Sequence, residues 1–128
     1  MKIFVSGASG IVGYGIIRSL KMADSDLRIV ASSNKEISPA NVFADDFFLA
    51  PSTESPGYLN WLEEFLDRER PEIAIPGIEA DNVLWNQQRE IFSRSGVKPL
   101  LNDYQLIETC RDKWSLFLEL RRIAEETT

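Results

Sequence analysis

Histidine is absent from this 128-residue chain, and cysteine occurs only once, at Cys110. Without histidine, Ser-His-Asp triads, Cys-His pairs and histidine-based zinc sites are all excluded. A single cysteine cannot form an internal disulfide, and such sparing use is typical of proteins of the reducing cytoplasm. We therefore expect a cytoplasmic protein without histidine-based catalysis.

A net positive charge and long apolar runs are also lacking. The chain has 14 Lys and Arg against 20 Asp and Glu, a net charge of -6, which argues against nucleic acid because phosphate binding requires a basic surface. No apolar run approaches the roughly 18–20 residues of a membrane span, and the chain begins with a strand-like segment instead of a signal peptide. The composition therefore predicts one soluble globular domain with no nucleic-acid partner and no membrane partner.

The first fifteen residues organise the fold. An apolar run over residues 1–5 is followed by Ser6-Gly7-Ala8-Ser9-Gly10-Ile11-Val12-Gly13. This pattern predicts a buried strand, a glycine-rich turn and a helix, the opening of a Rossmann-like βαβ unit. Ser9 and Gly10 are candidate substrate-binding residues, because a hydroxyl and a backbone N–H at this turn could meet an anionic group. Turn formation and close strand–helix packing explain the same residues without a ligand.

Strand and helix patterns alternate along the rest of the chain. Further strands are predicted over residues 27–31, 46–50, 72–75 and 97–101, and the last is expected at an edge because it contains Pro99. Helical patterns follow the glycine turn and cover residues 59–68, 79–95, 103–110 and the segment after Asp112. We predict an α/β fold: a three-layer Rossmann-like domain with a mainly parallel sheet of about five strands.

A dinucleotide site would require further residues. An NAD site adds an acid at the end of the second strand, but Ala31-Ser32-Ser33-Asn34 stands there. Asn34 and Lys35 leave room for the 2′-phosphate of NADP. None of the three tyrosines belongs to a Tyr-x-x-x-Lys pair, as short-chain reductases require, and no Gly-Lys-Ser/Thr motif occurs. An NAD(P)-binding Rossmann domain of short-chain-reductase type remains the alternative interpretation.

Three later stretches point to another class. They are Ala44–Pro51 (ADDFFLAP), Ile75–Asp81 (IPGIEAD) and Cys110–Trp114 (CRDKW). In order and spacing, together with the glycine turn, they resemble the N-terminal (pre-ATP-grasp) domain of ATP-grasp ligases. The resemblance covers nearly the whole chain. It is greatest to proteins like the large subunit of carbamoyl phosphate synthase and more distant to biotin carboxylase.

The resemblance implies that different domains of the protein bind the substrate and the nucleotide. ATP-grasp ligases use ATP and Mg²⁺ to convert a carboxylate into an acyl phosphate, which an amine or other nucleophile then attacks. The N-terminal domain contributes part of the substrate pocket, and the later subdomains hold ATP and the metal. The resemblance thus implies that residues 1–111 form the pre-ATP-grasp domain and that residues 112–128 lead toward an ATP-grasp domain. Alone, the chain is expected to be inactive, with no catalytic residue and no metal ligand. A small-molecule carboxylate is the expected partner, and a homodimer is left open.

Three side chains carry the remaining site predictions. Lys113 matches the lysine of the family's Asp-Lys pair, which reaches an ATP phosphate, so the resemblance implies a cofactor-binding role. Glu79 and Asp81 follow the fourth strand, where α/β folds place ligand crevices, and are candidate substrate-binding residues. Acids in a first helical turn also stabilise the helix by themselves. Asp112 is expected to be a helix N-cap.

Overall fold

The computed structural model describes all residues from 1 to 128. It contains five strands: β1 (Lys2–Val5), β2 (Arg28–Ser33), β3 (Asp46–Leu49), β4 (Ile73–Ile75) and β5 (Lys98–Pro99). The seven helices are α1 (Ile11–Ala23), α2 (Ala40–Phe43), α3 (Tyr58–Glu69), α4 (Glu79–Gln87), α5 (Arg89–Ser95), α6 (Tyr104–Cys110) and α7 (Lys113–Thr127).

All five strands are parallel, in the order β3-β2-β1-β4-β5. Alternation along β1 sends Ile3 and Val5 to one face and Phe4 to the other. Ile3 and Val5 pack in a cluster with α1 and α2, whereas Phe4 packs with residues of α3, α4 and α5. The predicted three-layer α/β fold is confirmed. The predicted edge position of the Pro99 strand is also confirmed, since β5 pairs only with β4.

The prediction of one continuous helix over residues 79–95 is wrong. The chain leaves helical geometry at Gln88 (φ -124°, ψ 37°), which separates α4 from α5. Trp85 and Phe92 would lie about 10.5 Å apart along a straight helix, seven residues at 1.5 Å each. In the structure their ring centroids are 4.8 Å apart in the same apolar cluster. The break at Gln88 thus accompanies a closer approach of the two rings than the axial spacing of a straight helix would give.

The last helix, α7, lies outside the core. Asp112 caps it, as predicted, by accepting hydrogen bonds from the N–H groups of Trp114 and Ser115. No residue of α7 is buried, and its packing partner is the short helix α6. Trp114 and Phe117 stack on each other in solvent, with ring centroids 5.3 Å apart. The proposed division between residues 1–111 and 112–128 stays a prediction.

Candidate functional site

A cavity of about 240 Å³ opens at the carboxyl edge of the sheet. The chain runs from the central β1 outward through β2 and β3, then returns to place β4 on the other side of β1. Loops therefore diverge above β1, and open α/β sheets bind their ligands at such a switch point. The lining comes from the end of β2, from the segments after β1, β2, β3 and β4, and from the first turns of α3 and α4.

Hydrogen bonds between these segments define one wall of the cavity. The Ser33 hydroxyl donates to Ser9 Oγ at 2.6 Å, and the Ala8 N–H donates to the Ser32 carbonyl at 2.9 Å. The Ala50 N–H donates to the carbonyl of Ser33 at 2.8 Å. The loops after β1, β2 and β3 are thus joined to one another, and the hydroxyls of Ser9 and Ser33 are held at the cavity wall.

A buried polar group also lines the cavity. Asp81 is 3% exposed, and the Thr53 hydroxyl donates to its Oδ1 at 2.6 Å. Beside it, the Tyr58 hydroxyl accepts a hydrogen bond from Trp85 Nε1 at 3.0 Å. Burial, and next the negative charge of Asp81, raise the pKa of Tyr58 well above its ordinary value, so this phenol stays protonated. Tyr58 is therefore a hydrogen-bond donor and not a general base at neutral pH.

The loop that follows β4 packs against the glycine turn. Gly7 has φ +58°, and a Cβ there would lie 2.5 Å from Ile78 Cγ2, which also approaches Gly10. Gly77 comes so close to β1 that a Cβ would lie 2.1 Å from the Ser6 carbonyl oxygen and 2.8 Å from Gly13 Cα. The loop after β4 therefore packs directly on the turn after β1, and Ile78 covers the turn.

The charge of the cavity is negative. Two carboxylates line it, those of Glu54 and Asp81, and the fourteen lining residues include no Lys or Arg. Serine, threonine and tyrosine hydroxyls make up most of the other polar groups. None of the nine ion pairs in the structure includes Asp81. The lining accordingly offers acceptors and hydroxyls, without a cation to receive an anion.

The structure brings together two of the predicted site residues. Ser9 and Asp81 both line the cavity. Glu79 faces the shallower grooves beside α4, and the N–H of Gly10 donates to the Gly7 carbonyl at 3.1 Å within the turn. Lys113 is exposed at the start of α7 and lines none of these grooves, and its side chain makes no hydrogen bond or ion pair. The roles of all five remain predictions.

Sequence reasoning missed Thr53, Tyr58 and Ile78. The turn-forming residues 52–57 (STESPG) contained a signal for Thr53, because a turn after a parallel strand lies at the carboxyl edge of the sheet. Tyr58 opens α3 and is 2% exposed. Its role depends on contacts with Trp85 and Asp81, which are distant in sequence. Ile78 precedes α4, and nothing in its neighbours indicates that it contacts Gly7.

A parallel sheet with a polar cleft at its switch point defines a Rossmann-like domain. Residues 9–100 match the family model described as PylC-like, N-terminal domain. The match covers well over half of the chain, so the chain belongs to the family of PylC-like N-terminal domains. No curated protein sequence matches it.

Solved structures of ATP-grasp enzymes share the fold. The biotin carboxylase domain of the Hydrogenobacter thermophilus 2-oxoglutarate carboxylase, solved with MgADP and bicarbonate, has a TM-score of 0.66 at 18% identity, over 94% of this chain and 27% of that one. N5-carboxyaminoimidazole ribonucleotide synthetase from Thermotoga maritima gives 0.62 at 17% identity, over 94% and 30%.

A nucleotide-sugar enzyme is less similar. UDP-glucose 4-epimerase from Thermotoga maritima gives a TM-score of 0.52 at 17% identity, over 76% of this chain and 35% of that one. The chain thus spans about a quarter to a third of the length of all three structures. The fold is that of the N-terminal domains of ATP-grasp carboxylases and ligases. None of its helices is long and apolar enough to cross a bilayer.

Proposed function

We propose that this chain is the substrate-side domain of an ATP-grasp ligase that activates a small-molecule carboxylate as an acyl phosphate, in the manner of carbamoyl phosphate synthase. The observation that carries the proposal is the polar cavity at the switch point, on a domain of the PylC-like family. Acyl phosphates hydrolyse in water, so such a reaction needs a cleft that holds the substrate and excludes solvent. Ser9 and Asp81 supply this chain's part of that cleft.

ATP and Mg²⁺ are assigned mainly to other parts of the protein. The chain has no group of three Asp, Glu, Cys or His side chains that could hold a metal ion. Lys113 is the residue proposed to contact an ATP phosphate, because it matches the lysine of the Asp-Lys pair of ATP-grasp ligases and its side chain is exposed. When bound elsewhere, Mg-ATP supplies the phosphoryl group. The cavity residues bind and orient the substrate, and they take no part in phosphoryl transfer, since the cavity has no cation to offset phosphoryl oxygens.

Two observations speak against the alternative, a dinucleotide site. Ile78 covers the glycine turn on which a pyrophosphate would rest, and Ser33 and Asn34 stand where the ribose-binding acid of an NAD site is expected. NADPH titrated into the 128-residue chain should therefore leave the amide signals of residues 7–13 unshifted. Saturable shifts centred on that turn would reverse the preference.

The ligase activity is tested with the protein made from its whole reading frame. We expect ADP formation that depends on Mg²⁺, on a carboxylate and on an amine or other nitrogen donor. Lys113→Ala should raise the KM for ATP, whereas Lys98→Ala, an exposed lysine on the edge strand β5, should leave it unchanged. A reading frame that stops after Thr128, or a whole protein that makes no ADP with any carboxylate, would refute the proposal.

A further inference from the structure

No Lys or Arg of this chain forms an ion pair with Asp81. The residue is nevertheless only 3% exposed. A carboxylate has about four lone-pair positions, and hydrogen bonds from the hydroxyls of Thr53 and Tyr58 occupy two of them. Buried charges are ordinarily paired, because leaving water without a partner costs several kcal/mol. Asp81 therefore has both the charge and the acceptor capacity to bind a cation.

The fold tolerates this charge without neutralising it. Asp81 is the third residue of the nine-residue helix α4, whose N-terminal dipole favours a negative group. The carboxylate also lines the cavity, so ligand atoms can reach it. These features hold a carboxylate in place with one side facing an opening, which is the arrangement that a bound cation would complete.

The remaining lining specifies the type of cation. The hydroxyls of Ser9 and Ser33 line the same cavity, and Glu54 adds a second acid to the lining. A primary ammonium group has three N–H donors, which match a carboxylate and surrounding hydroxyl oxygens. A carboxylate or phosphate would meet two acids and no Lys or Arg. A neutral alcohol could form hydrogen bonds but would leave the Asp81 charge unpaired.

We infer that the cavity binds the ammonium group of an amine-bearing small molecule, with Asp81 as its counter-ion. The inference deepens the proposed function and rests on it, because it assigns the substrate end that this domain holds. An ammonium paired with Asp81 has its nitrogen lone pair occupied by a proton, so it is an anchoring group and not the attacking nucleophile. The carboxylate that reacts lies at another position of the substrate or on a second substrate.

Three four-carbon probes separate charge from shape. We would titrate 1,4-diaminobutane, 1,4-butanediol and succinate into the 128-residue chain at physiological salt, which screens non-specific attraction beyond about 8 Å. Amide signals are followed by NMR. The diamine should give saturable shifts at Ser9, Ser33, Thr53 and Asp81, and the diol and the diacid should give none there. Equal shifts with the diol, binding of succinate in the cavity, or no shifts with the diamine would each overturn the inference.

Asp81→Asn tests the counter-ion directly. Asparagine keeps an oxygen that can accept from Thr53 but loses the charge, so the diamine affinity should fall at least tenfold. Asp26→Asn removes the same charge from an exposed turn before β2, at the opposite edge of the sheet, and should leave the affinity unchanged. Equal affinity in wild type and Asp81→Asn would overturn the inference. The wild-type probe series does not depend on any variant folding.

This experiment is independent of the ligase assay. Binding is measured without ATP, so its failure removes the amine site and leaves the proposed ligase function standing. Conversely, a whole protein that forms no ADP would refute the ligase function while diamine binding at Asp81 persisted.

Discussion

Two glycines of α1, only two residues apart, should respond to alanine in opposite directions. A Cβ at Gly13 would lie 2.7 Å from the Gly7 carbonyl oxygen and 2.8 Å from Ala8 Cα, whereas a Cβ at Gly15 would have no neighbour within 4 Å. The atoms that crowd Gly13 are backbone atoms, which cannot rotate away. Gly13→Ala therefore requires α1 to move about 0.7 Å from the turn, the difference between 2.7 Å and an ordinary 3.4 Å contact.

The size of each effect follows from this geometry. Overpacking of this kind costs about 1–3 kcal/mol of unfolding free energy, and the rigid backbone places Gly13→Ala toward the upper part of that range. Gly15→Ala should stabilise the chain by about 0.5–1 kcal/mol, because alanine loses less backbone entropy in a helix than glycine does. For a domain of this length, 1 kcal/mol corresponds to about 4 °C in Tm. With this conversion, we expect Tm to fall by about 8–12 °C in Gly13→Ala and to rise by about 2–4 °C in Gly15→Ala.

Thermal unfolding followed by circular dichroism measures both variants, and urea unfolding gives the free energies independently. The two substitutions have the same chemistry in the same helix, so their difference isolates the contact with the turn. If Gly13→Ala were as stable as Gly15→Ala, α1 would not lie against the turn as described. The assignment of Gly7–Gly13 as a packing element would then fail.

Three further predictions concern stability away from the cavity. Burial opposes ionisation of Asp45, but hydrogen bonds from Lys21 and a backbone N–H hold its pKa below the ordinary 3.8. Asp45→Asn should therefore lower the free energy of unfolding by less than about 1 kcal/mol at pH 7, since the side chain is partly exposed. This loss should disappear as the pH falls below 3.8 and through the lowered pKa of Asp45. A loss that persisted at pH 2 in urea unfolding would contradict the prediction. Gly96 ends α5 with φ +69°, so Gly96→Ala should lower the free energy of unfolding by about 1 kcal/mol, and an unchanged urea midpoint would show that the left-handed conformation is not required. Trp114→Ser and Phe117→Ser lie on the exposed face of α7 and should change the free energy of unfolding of the 128-residue chain by less than about 0.5 kcal/mol. In the whole protein the same substitutions should lower the stability, because the proposed ATP-binding part then covers this face. Equal effects in the chain and in the whole protein would refute that docking.

The fold was predictable because its signals are local. Residues 1–13 combine an apolar run with spaced glycines, and strand and helix patterns alternate behind them, so a parallel three-layer arrangement follows. The break at Gln88 was not predictable in this way. Residues 79–95 have a helical pattern throughout, and the break lies between Trp85 and Phe92, which share an apolar cluster with Phe4, a residue more than eighty positions earlier in the sequence.

The site was only partly predictable. Ser9 and Asp81 were found from the rule that ligands bind beyond the carboxyl ends of parallel strands, and both line the cavity. Thr53 and Tyr58 were not found, because their role arises from contacts with α4 that no local pattern encodes. The absence of Lys and Arg from the lining could likewise not be predicted from the sequence, since it depends on which segments meet at the edge of the sheet.

One refinement was within reach of sequence alone. Glu79 and Asp81 are two residues apart on a helix, which separates their directions by about 200° around the axis at 3.6 residues per turn. Both side chains therefore cannot point into one crevice. The structure shows this division: Asp81 is buried at the cavity, and Glu79 is exposed toward the outer grooves. The difference also determines their chemistry, because solvent screens the charge of Glu79 while the charge of Asp81 is available to one enclosed ligand group. A charge-removing change at Glu79 should then leave diamine binding almost unaltered, and a loss as large as that of Asp81→Asn would show that the cavity attracts cations through its general field and not through Asp81.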